Sequence, residues 1–208
     1  MHLNPYGEYA VLLAASLAND WPDSRAGIIA RTRGHGMTMT FPEGPEDHHE
    51  VHGVIHRWLE VVDAGTPGLR AELLNVLMKD AAAYPRLTDH DGEGWHLHYR
   101  DGGQSLAEVL LAVFSVGTAL HLTTRGMTRL RRCEAGAGPG DPCRNVVVDV
   151  TRNGRQRFCS VRCGNRAAVP PQGGTQPAGI SPPVPAPALK AVQGGRDAGF
   201  WKLEAVAR

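Results

Sequence analysis

Apolar residues recur every three or four positions in four segments of the first 125 residues, which is the spacing of an amphipathic helix. These segments predict helices over residues 5–19, from Val51 to near Gly65, from Pro67 onward, and from Leu106 to about Thr124. The predicted apolar faces of the first three are Tyr9, Leu12, Leu13 and Leu17; Val51, Ile55, Leu59 and Val62; and Leu69, Leu73, Val76 and Leu77.

Capping signals mark three of these helices. Asn4-Pro5 and Thr66-Pro67 each place a cap residue before a first-turn proline, and Ser105-x-x-Glu108 is a capping box. The last helix should end at Gly126, and its apolar stretch is interrupted by polar residues before it reaches the roughly 18 residues of a membrane span. The first nine residues lack the basic start and apolar core of a signal peptide. The sequence therefore predicts a soluble, cytoplasmic protein that does not enter a membrane.

Strand signals are few. Trp95, Leu97 and Tyr99 alternate with His96 and His98, which predicts one strand of a small sheet after a turn at residues 89–94. If the histidine side of that strand faces a cavity, His96 and His98 could bind a ligand; otherwise they face solvent. Residues 20–47 are predicted to be mostly loop, with a short strand allowed where residues 37, 39 and 41 are apolar.

All four cysteines of the chain lie between residues 133 and 163, with nine, fifteen and three residues between consecutive ones: Cys133, Cys143, Cys159 and Cys163. Two ligand pairs that flank a hairpin-length span are typical of a structural zinc module, and four thiolates fill one tetrahedral shell. With no position left for water, the predicted single zinc ion is structural rather than catalytic. Two disulfides are the alternative, and they would require an oxidising compartment.

The segment around the cysteines predicts a finger of the zinc-ribbon or treble-clef kind. A strand should enter Cys133, a second should cover Asn145–Val150, and a third should lead from a turn at Arg152-Asn153-Gly154 to Cys159. A short helix should begin at Ser160, so that Cys159 and Cys163 face one ion. Beyond it, residues 170–195 contain seven prolines and no apolar periodicity, which is the composition of a disordered tail.

Charge is distributed unevenly around a net value of +1. Residues 1–128 hold nine basic and sixteen acidic residues, whereas residues 129–166 hold nine arginines and three acidic residues. A basic finger on an acidic body is the electrostatic pattern of a polyanion-binding protein, although the arginines of a small domain can also be merely solvated. The candidate DNA-contacting residues are Arg152, Asn153, Arg155, Arg157, Arg162, Asn165 and Arg166. As an alternative, Asn165 could cap the backbone of the finger and Arg166 could pair with Asp149.

Three sequence motifs, Asp149-x-Thr151-Arg152-Asn153-Gly154, Arg157-Phe158-Cys159-Ser160 and Cys163-Gly164-Asn165-Arg166, resemble the CGNR zinc-finger family of bacterial proteins. That family carries its finger after a mostly helical ABATE domain, and its members are regarded as stress-induced transcription regulators. The upstream resemblance rests on Leu17-Ala18-Asn19, the strand at 95–99 and the long apolar helix. The chain departs from the pattern in the insert GAGPGDP between the first two cysteines and in Pro170-Pro171, which stop the basic helix after CGNR.

Other candidate chemistry is weaker. His48, His52 and His56 recur every fourth residue, so they share one side of the second helix and could bind a second metal. The adjacent apolar stripe places that side at the boundary of the core or in solvent. No G-x-S-x-G elbow, P-loop or H-E-x-x-H pair occurs, so we expect no enzyme.

The sequence thus predicts an α+β protein in three parts: an ABATE-like, mostly helical domain with a small sheet (residues 1–128), a CGNR-type zinc finger (129–168) and a disordered Pro/Gly-rich tail (169–208). The preferred function is DNA-binding transcription regulation, with the first domain used for sensing a small molecule, for homodimerisation, or for both. A zinc-stabilised protein–protein interaction module without DNA binding remains the alternative.

Overall fold

Six α-helices and four short strands make up the part of the chain that the computed structural model describes, which is residues 7–37, 44, 46–81, 86–88, 96–98, 104–136 and 142–168. The helices are α1 (Glu8–Asn19), α2 (Arg25–Gly34), α3 (Asp47–Asp63), α4 (Pro67–Asp80), α5 (Leu106–Arg125) and α6 (Val161–Ala168). The strands are β1 (Arg86–Thr88), β2 (His96–His98), β3 (Leu130–Arg132) and β4 (Val146–Val148), with a 3-10 turn at Glu134–Gly136.

Helix α5 is the centre of the helical body, because it packs against α1, α3 and α4. Its length and composition alone would suit a membrane span, but 72% of that apolar window is buried inside the protein. The fully buried Trp58 of α3 donates a hydrogen bond from its indole Nε1 to Thr118 Oγ1 of α5 over 2.9 Å. We conclude that α5 is the core helix of a bundle.

Two of the capping predictions are confirmed. Ser105 Oγ accepts from the backbone N–H of Glu108, while the Glu108 carboxylate accepts from the Ser105 N–H over 2.7 Å. Thr66 Oγ1 accepts from the Leu69 N–H in the same way. Asn4-Pro5 lies outside the described residues, and α1 begins at Glu8.

Two glycines let α1 and α5 approach closely. Gly7 has φ +65°, and a Cβ placed on it would lie 2.1 Å from the carbonyl oxygen of Gly117. A Cβ on Gly117 would lie 2.3 Å from the Cβ of Ala10. No side chain fits at either position without separating the two helices.

The prediction that residues 20–47 are mostly loop is wrong, because Arg25–Gly34 forms α2. Ser24 caps it by accepting from the Gly27 N–H, and the apolar face is narrow, with Ile28 and Thr32 buried. The segment contains too few apolar residues to show the spacing of an amphipathic helix in its sequence. Met37 is buried without forming a strand, and residues 38–43 lie outside the described part of the chain.

The apolar face predicted for α4 is partly wrong. Leu77 is buried, but Leu69 and Val76 are 45% and 51% exposed. The buried stripe runs instead through Leu74 and Leu77 toward Ala81, so the helix is rotated from the predicted orientation.

A two-stranded antiparallel sheet forms between β1 and β2, with Leu87 opposite Leu97. The strand predicted around residues 95–99 is therefore confirmed for its centre, and the sequence pattern missed its partner at 86–88. The side chains of His96 and His98, and the turn predicted at 89–94, lie outside what the structure describes.

A second antiparallel pair, β3 with β4, joins the helical body to the cysteine-rich segment. Leu130, Val146 and Val148 belong to the main core, whereas Val147, which points the other way, packs among the cysteines. The amide of Asn19 completes the join: its Nδ2 donates to the Val146 carbonyl over 3.0 Å and its Oδ1 accepts from the Val146 N–H over 2.6 Å. The boundary predicted at residues 128 and 129 stays a prediction, and the tail from residue 169 lies outside the described residues.

Candidate metal centre

Each cysteine is positioned by a regular element next to it. Cys133 follows β3 directly, Cys143 precedes β4, and Cys163 lies in the first turns of α6 with Cys159 just before that helix. Ser160 Oγ accepts from the Cys163 N–H over 3.2 Å, which confirms that a short helix begins here. The third strand predicted to lead into Cys159 is wrong, since residues 155–158 form no strand.

The four sulfur atoms converge on one point. All lie within 4.8 Å of one another, and Cys159 Sγ is 3.6 Å from both Cys143 Sγ and Cys163 Sγ. A tetrahedral zinc ion with Zn–S bonds of about 2.3 Å sets its sulfurs roughly 3.8 Å apart, whereas a disulfide requires about 2.05 Å. All four cysteines are free. The geometry excludes the disulfide alternative and fits one zinc ion.

The protonation chemistry of the cluster also indicates a cation. Hydrogen bonds from Ser160 and Cys159 lower the pKa of the Cys163 thiol to about 7. Burial, with hydrogen bonds among the four thiols, raises the pKa of Cys159 to about 12. One proton is therefore lost easily, whereas burial and the hydrogen bonds among the thiols hold the next. A divalent ion removes this penalty and allows the thiols to ionise together.

Groups around the sulfurs stabilise thiolates. The backbone N–H of Cys159 donates to Cys133 Sγ over 3.4 Å, and Arg166 Nη2 lies 3.8 Å from Cys163 Sγ. Val147 and Ala135 are buried beside them, and Phe158 packs at the edge. Hydrogen bonds to metal-bound ligands and a small apolar shell are what orient a metal site.

A buried carboxylate, which sequence reasoning did not assign to the site, organises the turn beside the metal. Asp149 is fully buried; its Oδ1 accepts from the Thr151 N–H over 3.0 Å and its Oδ2 from the Gln156 N–H over 3.1 Å. Arg129 and Arg131 lie 3.3 and 3.7 Å from its oxygens. Burial by itself would raise the pKa of Asp149, but the hydrogen bonds from Thr151 and Gln156 and the charge of Arg129 together lower it. The Asp-x-Thr spacing was the signal available in the sequence.

Two glycines of the finger have different roles. Gly154 has φ +69°, and a Cβ on it would come within 2.6 Å of the guanidinium carbon of Arg129, so both the backbone and the space demand glycine. A Cβ on Gly164 would make an ordinary 3.4 Å contact with the Phe158 ring. The Gly164 position thus lies against Phe158.

The nine arginines of the finger divide into two groups. Arg129, Arg131, Arg132 and Arg157 are ion-paired with carboxylates: the first two with Asp149, Arg132 with Asp63 of α3, and Arg157 with Glu134. Within the described residues the other five are exposed and make no ion pair; they are Arg144, Arg152, Arg155, Arg162 and Arg166. We call these five the free arginines.

The candidate DNA-contacting residues are thus distinguished by their partners. Arg152, Arg155, Arg162 and Arg166 are free arginines, and Asn165 is exposed on α6. Asn153 lies in the turn, where its Oδ1 accepts from Thr151 Oγ1, and Arg157 is held by Glu134 over 2.5 Å while resting against Phe158. The alternative pairing of Arg166 with Asp149 is wrong, because Arg129 and Arg131 occupy that carboxylate. Arg144 was not singled out from the sequence.

The other predicted ligand groups do not form a comparable centre. In the described ranges, the four cysteines are the one cluster in which three or more Cys, His, Asp or Glu side chains bring ligand atoms together. His48, His52 and His56 do share one face of α3, as their spacing predicted. They do not form a three-ligand site.

Residues 129–170 match the family described as CGNR zinc finger. The match covers about a fifth of the chain and includes all four cysteines, β3, β4 and α6. No curated protein matches this chain. The segment is therefore a CGNR zinc finger whose four cysteines can hold a zinc ion, carried by a mostly helical body.

Proposed function

We propose that the protein is a regulator that binds DNA through its zinc finger. The observation that carries the proposal is the set of free arginines, which lie in the same segment as the four cysteines and have no carboxylate partner among the described residues. The other four arginines of the finger are already paired with carboxylates, Arg132 with Asp63 of the helical body and the rest within the finger, so the free arginines are the ones available for phosphates. Arginine contacts with phosphate provide affinity and orientation, and they leave base recognition to other groups.

The exposed side of α6 supports this proposal. Arg162 and Arg166 lie one helical turn apart, and Asn165 beside them has an amide that can pair with the edge of a base. Arg166 also reaches Cys163 Sγ, so a phosphate contact at Arg166 would lie next to the metal.

Under this proposal the helical body, which resembles an ABATE domain, provides sensing, dimerisation or both in a cytoplasmic, non-enzymatic transcription regulator of the stress-induced kind. A single small finger buries only about 600–1,000 Å² on DNA, so a second copy of the chain would add affinity. The body remains acidic, which would keep it away from the duplex and leave contact to the finger.

Salt-dependent binding to a mixed-sequence duplex tests the proposal. We expect the logarithm of the association constant to fall linearly with the logarithm of salt concentration, by about 0.9 for each phosphate contact. The double variant Arg152→Ala/Arg155→Ala should bind more weakly and reduce that slope by roughly 1.8. Arg33→Ala, an exposed arginine on α2, is the matched control and should leave the slope unchanged. Equal binding by the double variant and the parent would contradict the proposal.

One observation favours the interaction-module alternative. Val161 is 80% exposed at the start of α6, and a lone apolar side chain beside Arg162 suits a protein partner better than a phosphate backbone. If Val161→Ser abolishes capture of a partner protein while DNA binding in the salt series is unaffected by Arg152→Ala/Arg155→Ala, the interaction module is the better description.

A further inference from the structure

The outer face of α3 carries three histidines that meet a tryptophan. The Trp21 ring, in the segment between α1 and α2, lies 5.1 Å from the His48 ring and 4.9 Å from the His52 ring. The His52 and His56 rings lie 4.6 Å apart between centroids, at an angle of 75°. None of these residues belongs to the finger.

Only two of the three imidazoles are available to a ligand. His48 is half-buried, and its Nε2 lies 2.8 Å from the carbonyl oxygen of Pro22. His52 and His56 are exposed and lie one helical turn apart. Two histidines at positions i and i+4 of a helix are the pair that zinc-binding helices use to hold one ion.

The separation of the rings suits chelation. Imidazole nitrogens bind transition metals at about 2.0–2.1 Å, so two imidazoles at a right angle around one ion place their ring centres roughly 4.6 Å apart. An edge-to-face aromatic contact has a similar separation, and the experiment below distinguishes the two.

We propose that His52 and His56 form a second metal site, which binds an exchangeable divalent transition metal with a preference for imidazole, such as Ni²⁺, Cu²⁺ or Zn²⁺. The two imidazoles fill two coordination positions and water fills the others. We expect a metal ion to exchange more easily here than at the cysteine cluster. The ligands are nitrogens, the position is exposed and the coordination shell is open to water. The inference stands on α3 alone and does not depend on DNA binding by the finger.

Titration of the zinc-loaded full chain with Ni²⁺ tests the site. Equilibrium dialysis should show one Ni²⁺ bound per chain while zinc stays at one per chain, and tryptophan emission should fall because Trp21 is next to His52. His52→Ala and His56→Ala should each weaken Ni²⁺ binding by at least about tenfold, because a single imidazole cannot chelate. Trp21→Phe should retain the Ni²⁺ and lose most of the change in emission.

The control variants make the result specific. His48→Ala removes the ring that the Pro22 carbonyl occupies and should bind Ni²⁺ like the parent. His35→Ala, which removes a histidine at the end of α2, should do the same. The proposal is overturned if His52→Ala and His56→Ala also bind like the parent, or if the parent binds no Ni²⁺ beyond its zinc. The second result would mean that the His52–His56 contact is an aromatic contact alone.

Discussion

The helical body and the zinc finger are held together by different means. The body buries large apolar side chains such as Trp58, Phe114 and Leu110 around α5, as an ordinary globular core does. Among the described residues, the finger has only Val147, Ala135 and the edge of Phe158 beside its cysteines. So little apolar surface lies beside the cysteines that the stability of this side of the finger depends on what the four sulfurs bind.

The two regions nevertheless share one pair of strands. Val148 and Val146 of β4 face the core of the body, and Val147 between them faces the cysteines, because successive strand residues point to opposite sides. One side of the strand pair of a metal-binding module can thus pack against the apolar core of a neighbouring region, while the other side packs against the metal ligands. Substitutions on the cysteine side and on the core side can then test separately how each region is stabilised.

Loss of one sulfur should have the largest effect. In Cys163→Ser the hydroxyl does not replace the thiolate, so the finger forfeits zinc binding that contributes roughly 10–16 kcal/mol in isolated finger peptides. We expect bound zinc to fall from one ion per chain to none, measured by atomic emission, while the far-ultraviolet helical signal of the body persists. Ser160→Ala is the control: it removes a helix cap and a hydrogen bond to Cys163 but no metal ligand, so it costs about 1 kcal/mol and should retain zinc. A Cys163→Ser protein with a full zinc content would contradict the assignment of the ligands.

Removal of the buried carboxylate should have the next largest effect. Asp149→Ala leaves Arg129 and Arg131 without their shared partner, and we expect a loss of about 3–5 kcal/mol in the free energy of unfolding. Asp63→Ala makes the same change in charge at a side chain that is 50% exposed against Arg132, and should cost about 0–1 kcal/mol. Equal losses in urea denaturation would show that Asp149 acts only as a surface charge.

The same pair predicts a pH dependence. The pKa of Asp149 in the folded protein is below its ordinary value of about 3.9, so its contribution to stability is complete above that pH. The contribution disappears as the pH falls through the folded pKa, because the unfolded chain then binds the proton more readily. The difference in stability between Asp149→Ala and the parent should therefore shrink below about pH 4, and a difference that grows there would contradict the lowered pKa.

Shortening the valines of β4 one at a time separates the two faces. Val148→Ala should lower the free energy of unfolding of the body by about 2 kcal/mol, since it removes apolar volume from the main core. Val147→Ala should have a smaller effect on the body and make zinc easier for a chelator to extract. If both variants behave alike in denaturation and in chelator competition, the division of the strand into two faces is wrong.

The smallest expected effect concerns a single backbone position. Gly154→Ala places a Cβ at φ +69° and against the Arg129 guanidinium, and should cost about 1–2 kcal/mol. Gly53→Ala, on the exposed side of α3 with open space around it, should instead stabilise the protein by up to about 1 kcal/mol. Opposite signs in thermal melts would support the backbone argument, and equal signs would contradict it.

These elements show what the sequence could and could not predict. The caps at Ser105 and Thr66 and the four cysteines were predictable because each signal is local and chemically specific. Helix α2 was missed because its apolar residues against the core are few, Ile28 and the partly buried Ile29. Strand β1 was missed because three residues are too few to show an alternating pattern. The buried face of α4 was predicted only in part. Helical spacing shows which residues share a face, whereas tertiary packing decides which face is buried.

The candidate site shows the same limit. Cysteine spacing predicted the ligands, but it could not show that Asp149 holds Arg129 and Arg131, since those contacts depend on how β3 and β4 pair. For the same reason the seven candidate DNA-contacting residues could not be separated into free and engaged side chains from their positions in the sequence. Arg157 and Arg152 look equivalent in the chain, but Glu134 and the Phe158 ring lie beside Arg157.

The amide of Asn19 has a consequence for how this architecture could be rearranged. By donating to and accepting from the backbone of Val146, a side chain at the end of the first helix serves as a third strand for a hairpin more than a hundred residues away. A finger grafted onto an unrelated carrier would leave that edge bare, with Leu130 and Val148 in water. We therefore expect genetic recombination to move this finger between proteins together with α1, and not as an independent domain.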